Sequence, residues 1–193
     1  MAQEVRGPKT EVSVQELSHL LTSDRSLLAP SLKRALVVWL AIVAGALGWL
    51  GLIAGAPLFE ARGHHFWAQA IYRAFSPVCH QMPERSFYLA GHPLAVCARC
   101  CGLYAGFAAS TLLYPLVRSL RRRDAPARRW LFLALAPTAV DFGLNLAGVW
   151  ENTHASRALT GALLGAVIAF YVVPGLIDLG LTDWRCLFAR SAS

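Results

Sequence analysis

The sequence predicts an all-α fold: an integral membrane four-helix bundle, with a short loop carrying cysteine and histidine between its first and second helices. Three observations carry this. Of the 193 residues, 56% are hydrophobic and only 15% charged, where a soluble domain has about 25% charged. Four apolar runs reach or approach the roughly 20 residues that cross a bilayer. The densest charge lies between two of those runs, where six arginines fall between Arg118 and Arg129.

The first thirty residues are polar and mixed in charge. They lack the short apolar core of a signal sequence, so the first apolar run is expected to stay in the bilayer as a signal anchor. Within that segment Ser13-Val14-Gln15-Glu16 fits a capping box. Val14, Leu17, Leu20 and Leu21 recur at helical spacing. A short amphipathic helix on the cytoplasmic face is expected there, with a frayed tail as the alternative. Residues 1–34 form this N-terminal segment and residues 35–177 the membrane domain. Residues 178–193 form a C-terminal tail, in which Cys186 is incidental.

The first span runs from Ala35 to Phe59 without a charge. The second covers about 94–117 and the third 130–150, with Trp130 and Trp150 at its edges, where indole rings favour the interface. The fourth runs from Ala158 to Ile177. Three spans carry glycines one turn apart: Gly51 and Gly55, Gly102 and Gly106, Gly161 and Gly165. Such pairs let helix backbones approach closely, so packing within one bundle is expected; a seam between copies in a homo-oligomer is the alternative.

Orientation follows from the basic residues. Lys33 and Arg34 precede the first span, and the arginine-rich loop separates the second from the third. Both are expected on the cytoplasmic side of the inner (cytoplasmic) membrane, with both termini. The net charge of +7 therefore reflects membrane topology; no nucleic-acid partner is expected, and the partner is the lipid bilayer.

The loop between the first two spans holds the chemistry. From Cys79 to Gly102 it reads CHQMPERSFYLAGHPLAVCARCCG, with four of the five cysteines and two of the six histidines. The stretch HHFWAQAIYRAFSPVCH that runs into it has aromatics at Phe66, Trp67, Tyr72 and Phe75 and suits an interfacial helix stopped by Pro77; His64 and His65 are read as interfacial. Thiolate and imidazole bind zinc, whose tetrahedral sites need four donors. Cys79, His80, Cys97 and Cys100 can supply them, with Cys101 and His92 as further donors and Arg85 as a neutraliser of thiolate charge or an anion ligand. The same Cys97-x-x-Cys100, at a helix start and with Arg99 inside it, also suits thiol–disulfide exchange. Cys79 would then relay to Cys97 or Cys100, and a quinone or a thiol protein would be the partner. A third reading makes the cysteines small apolar packing residues in a structural or assembly protein. No phosphate-binding glycine loop, nucleophile elbow or His-Glu-x-x-His motif is present, and whether the chain is an enzyme stays open.

Asp141 lies mid-way along the third span. A carboxylate there costs about 2.5–3.5 kcal/mol on insertion scales, so it should face the bundle interior or a wet cavity. With Thr138 and Asn145 it forms one polar stripe. Arg99 and Arg157 are its candidate partners. Counted from Trp150 it lies about 13 Å deep, so Arg157 would have to reach far inward. Either an ion or proton relay or a pair that fixes helix order would explain it.

These residues resemble an uncharacterised family of predicted bacterial and archaeal membrane proteins, defined by a domain of unknown function. The family pattern begins Cys-His-Gln, Arg-Ser-Phe and Cys-x-Arg-Cys-x-Gly, matched here by Cys79 to Gln81, Arg85 to Phe87, and Cys97, Arg99, Cys100 and Gly102. It ends Pro-x-x-x-Asp-Gly and Arg-x-x-Thr-Gly-x-x-x-Gly, matched by Pro137, Asp141, Arg157, Thr160, Gly161 and Gly165. Phe142 replaces a glycine of the pattern and Cys101 a small hydroxyl residue. The resemblance covers roughly residues 70 to 170 and implies a multi-pass membrane protein, with no activity attached.

Overall fold

The computed structural model describes residues 14–182. Ser13, the first residue of the expected capping box, and Cys186 lie outside them. The chain is mostly helical: α1 (Val14–Ala61), α2 (His65–Phe75), α3 (Ala98–Val117), α4 (Arg129–Leu146) and α5 (His154–Leu181). A 3-10 turn at Pro83–Arg85 and a minimal antiparallel hairpin, β1 (Tyr88–Leu89) with β2 (His92–Pro93), fill the loop between α2 and α3.

Among the described residues, three helices are long and apolar enough to cross a membrane: Ser31–Ala61 within α1, α3, and α5. The backbone of the segment before the first span is continuous with it in α1. The loop helix forms as α2 and ends before Pro77. Two boundaries differ from the sequence expectation. α3 begins at Ala98 rather than near Leu94, because the Leu94 amide is taken by the Phe87 carbonyl at 2.8 Å and the Ala95 amide by the Ile53 carbonyl at 3.4 Å. These bonds tie Leu94 and Ala95 to segments outside the helix. α4 stops at Leu146, where the Ala147 and Gly148 amides bond back to Gly143 and Asn145 and Gly148 takes a φ of +69°. A left-handed glycine just past the last helical turn is a common helix stop.

The strongest packing is between α3 and α5. A Cβ on Gly102 or Gly106 would sit 2.0 Å from the Ala158 carbonyl oxygen or 2.1 Å from that of Ala162. From the other side, a Cβ on Gly161 or Gly165 would sit 2.2 Å from the Arg99 oxygen or 1.9 Å from that of Leu103. Backbone lies on backbone, which only glycine permits. Two of the three small-residue pairs thus face each other within one chain. Gly51 has open space around it and Gly55 only ordinary contacts. The outcome for the site is that the N-terminal ends of α3 and α5 are held side by side.

α1 crosses this pair and supplies a core beneath the loop. Ile53 and Ala56 pack with Phe75, Cys79, Ala95 and Val96, and Trp49 stands edge-on to Phe75 at 4.7 Å. A second core, Ala35, Tyr114, Leu120, Val173 and Ile177, closes the other end. There Trp39 donates to the Thr111 carbonyl at 2.8 Å, and Arg123 pairs with Asp178 at 3.2 Å. α4 lies outermost, packed on α5, with Phe132, Leu133, Val140 and Leu146 exposed.

Candidate metal centre

Three sulfurs converge where the loop meets the head of α3. The Sγ atoms of Cys79, Cys97 and Cys100 all lie within 4.8 Å of one another. A tetrahedral zinc–thiolate unit with bonds of about 2.3 Å has sulfurs about 3.8 Å apart, so the cluster is within a small relaxation of that geometry. Two elements supply the donors. Cys97 is the N-cap of α3 and Cys100 lies in its first turn, one helical repeat on. Cys79 follows α2, its amide bonded to the Phe75 carbonyl at 3.0 Å, and is 7% exposed.

The loop is tied to the helix head by specific bonds. The Cys97 amide donates to the Cys79 sulfur at 3.2 Å. Gln81 takes a φ of +52°, rare for a side chain with a Cβ. In this conformation its Nε2 donates to the Tyr72 carbonyl at 2.7 Å and to that of Ala95 at 2.8 Å. Gln81 thus joins the end of α2 to the segment after β2 that leads into Cys97. Tyr72 adds a second tie, its hydroxyl donating to the Pro93 carbonyl at 2.6 Å. Burial, and to a lesser extent Glu60, raises the Tyr72 pKa, which keeps this donor protonated.

Thiolate character is favoured at Cys97. The hydrogen bond from the Cys100 thiol, chiefly, pulls the Cys97 pKa down to about 5. Burial opposes this, while the Cys100 and Arg99 amides and the Cys79 thiol reinforce it. One thiolate among three clustered thiols is the starting point for metal capture and for disulfide exchange alike.

The other sequence-predicted residues take varied places. His80 is exposed and is outside the three-sulfur group, though it lines the same 350 Å³ cavity as Cys79, Cys97 and Cys100. Cys79 is buried against the core while its neighbour His80 is exposed. Cys101 is also outside the group, packed against the Ile53–Phe75 core. His92 sits in β2 opposite Leu89. Arg85 is exposed at the cavity rim.

Asp141 pairs with Arg99, whose guanidinium also lies over the Phe142 ring at 5.9 Å. Asn152 donates to the Asp141 carboxylate at 2.8 Å and to its carbonyl at 2.9 Å. Of the two partners expected from sequence, Arg99 makes the bond and Arg157 does not. α4 ends at Leu146, so Asp141 lies about 7.5 Å from the helix end, level with the heads of α3 and α5. The expected polar stripe divides: Thr138 donates to the Thr160 carbonyl at 3.1 Å and Asn145 to that of Trp150 at 3.3 Å.

The family model described as a predicted membrane protein (DUF2085) matches residues 79–171. An uncharacterized protein of Methanocaldococcus jannaschii is 39% identical over 124 residues, 62% of this chain and 80% of that protein. The chain belongs to this family of predicted membrane proteins. Another uncharacterized protein, from Methanothermobacter thermautotrophicus, is 35% identical over 95 residues, 49% of this chain and 84% of its own length. Both relatives are archaeal. No solved structure matches the chain. The matched region begins at Cys79 and holds the three cysteines, Arg99 and Asp141, and so frames the cluster with the ion pair beneath it. Gln81 and Asn152 are the structural residues that sequence reasoning gave no role. Gln81 was visible only as part of the Cys-His-Gln string, and Asn152 had no signal beyond its place in a short loop.

Proposed function

We propose that this chain is a multi-pass membrane protein with a thiolate metal centre at the outer surface of a four-helix bundle. Cys79, Cys97 and Cys100 are the ligands and zinc is the metal, in a structural or metal-handling role. The observation that carries this is the convergence of three sulfurs from two separate elements on one point. His80, on the wall of the shared cavity, is the protein's own candidate for the fourth position; an exogenous donor is the other.

In this reading residues 35–177 are the membrane domain, with α4 as the fourth span beside α1, α3 and α5. The exposed apolar side chains of α4 support its contact with lipid. The arginine-rich loop faces the cytoplasm with residues 1–34 and 178–193, and the cysteines lie at the opposite end of α3. Arg99 has a structural partner in Asp141, so it weighs less in the topological count than Arg121, Arg122, Arg128 and Arg129 of the loop, which form no ion pair among the described residues. Cobalt substitution tests the ligand set. Thiolate-to-cobalt absorption should be lost on substitution of Cys79, Cys97 or Cys100 by serine, and kept in Cys101→Ser. Absorption surviving in Cys97→Ser would overturn the assignment.

The position of Cys97 and Cys100 at the head of α3 also favours a second reading, a membrane thiol oxidase. Oxidising this dithiol to a disulfide releases two electrons and two protons, which a quinone would take up to become a quinol. Cys79 would then attack that disulfide, releasing one of its two sulfurs as a thiol, and the resulting disulfide of Cys79 would be reduced by a partner dithiol, which leaves as a disulfide while the three cysteines return to thiols. That reading predicts a Cys97–Cys100 disulfide that forms on adding a soluble quinone.

A further inference from the structure

We propose that the pocket beside the cysteine cluster binds a phosphate oxyanion between Arg85 and Arg157. A cavity of about 240 Å³ opens next to the sulfurs and is lined by Arg85, Arg99, Arg157, Asn145, Asn152 and the Phe142 ring, among others. It meets the cavity in front of the cysteines, and Arg85 lines both. Three guanidiniums thus converge from three elements: the 3-10 turn, the first turn of α3 and the first turn of α5.

Charge there is unbalanced. Against the three guanidiniums stand one carboxylate, Asp141, which is engaged by Arg99 and Asn152, and the Cys97 sulfur, which lines the same cavity beside Cys100, so the positive charge stays in excess. Among the described residues, neither Arg85 nor Arg157 forms an ion pair, and the Nε atoms of Arg99 and Arg157 are buried with no partner. Arg99 and Arg157 also stand at helix N-termini, where the macrodipole opposes a cation and favours an anion. Buried donors without partners are costly, and a bound anion relieves both penalties. Phosphate is the chemical class that fits best. Guanidinium forks match its oxygens in pairs, and the forks of Arg85 and Arg157, with the unpartnered Arg99 Nε, suit a tetrahedral anion with several charged oxygens better than a planar carboxylate. The Asn152 Oδ1 atom, buried and without a partner, can accept from a protonated phosphate oxygen. The site does not require the metal centre to be filled. Its ligand is either free phosphate or the phosphate of a lipid headgroup, since the pocket sits where helices enter the bilayer.

Titration calorimetry on the full chain, delipidated in detergent, tests this with two probes: inorganic phosphate, and a short-chain phosphatidic acid below its micelle concentration. Binding of either is expected, with Arg85→Gln and Arg157→Gln each weakening it about tenfold or more. Arg62→Gln, outside the pocket, should leave it unchanged. Saturation by inorganic phosphate marks a soluble ligand; binding of the phosphatidic acid alone marks a headgroup, and both support the shared chemistry. Should Arg157→Gln fail to fold, exposed Arg85→Gln and charge-conserving Arg157→Lys give the same reading. The proposal is overturned by no binding of either probe, by equal weakening in Arg62→Gln, or by acetate binding as well as phosphate.

Discussion

The main-chain amide of Cys97 donates a hydrogen bond to the sulfur of Cys79 at 3.2 Å. These residues lie on different elements, one capping α3 and the other following α2. The bond aims a backbone dipole at a sulfur that would carry negative charge as a metal ligand, and it fixes the loop to the helix that supplies the other two sulfurs. Its geometry depends on what holds the loop in place, and each support can be removed in turn.

Gln81 is the first support. Gln81→Ala removes two part-buried hydrogen bonds to main-chain carbonyls, each worth about 1 kcal/mol, and leaves a backbone of φ +52° without its reason. The expected result is a loss of about 2 kcal/mol in stability, with metal affinity falling about tenfold to a hundredfold, as for other residues that orient ligands. Chelator competition on the purified variant measures the affinity.

The α3–α5 contact is the second. Gly102→Ala or Gly165→Ala places a methyl group into main chain that cannot move aside, and should cost about 1–3 kcal/mol or more in thermal unfolding in detergent. Gly51→Ala meets nothing within 4 Å and should be neutral or stabilising by up to about 1 kcal/mol. Equal effects at the two sites would contradict close packing as the reason for these glycines.

The Arg99–Asp141 pair is the third. Their side chains are 23% and 9% exposed. Asp141→Asn leaves a largely buried guanidinium without its counter-charge, and a loss of about 3 kcal/mol is expected. The double variant Arg99→Met, Asp141→Leu should recover much of that loss, since well-packed apolar replacements of a buried pair are often neutral. Unfolding midpoints of the single and double variants decide this.

Acidity gives a fourth check. The Cys97 pKa is lowered to about 5, so its thiolate is present above that pH and lost below it. In metal-free protein, alkylation at Cys97 should reach half its plateau rate near pH 5, whereas an ordinary thiol would not do so below about pH 8. Mass spectrometry of the alkylated peptide reads out the rate. In Cys100→Ala, which removes the main hydrogen bond, the midpoint should move up.

Much of this was legible in the sequence, because hydropathy and ligand chemistry are local properties. The apolar runs, the loop helix ended by Pro77, and the clustering of cysteines at the head of one run all follow from neighbours along the chain. What escaped depends on contacts between distant segments. Gly51 and Gly102 begin the same four-residue pattern, and only the presence of α5 against one of them separates their roles. His80 lines the cavity of the three sulfurs without joining their group, a distinction that its place beside Cys79 in the chain does not carry. Asp141 was counted from Trp150, although the helix stops at Leu146, so its carboxylate lies nearer the helix end than the chain count implied. The part of Gln81 rests on a left-handed backbone that no propensity of glutamine announces.

The central claim is that Cys79, Cys97 and Cys100 hold a metal ion. Elemental analysis of the detergent-purified full chain, prepared without added metal or a histidine-rich tag, tests it most directly. The account predicts about one zinc per chain, lost in Cys97→Ser and in Cys79→Ser and kept in Cys101→Ser. Protein free of metal, with Cys97 and Cys100 joined as a disulfide in the same sample, would contradict it and support the thiol oxidase instead.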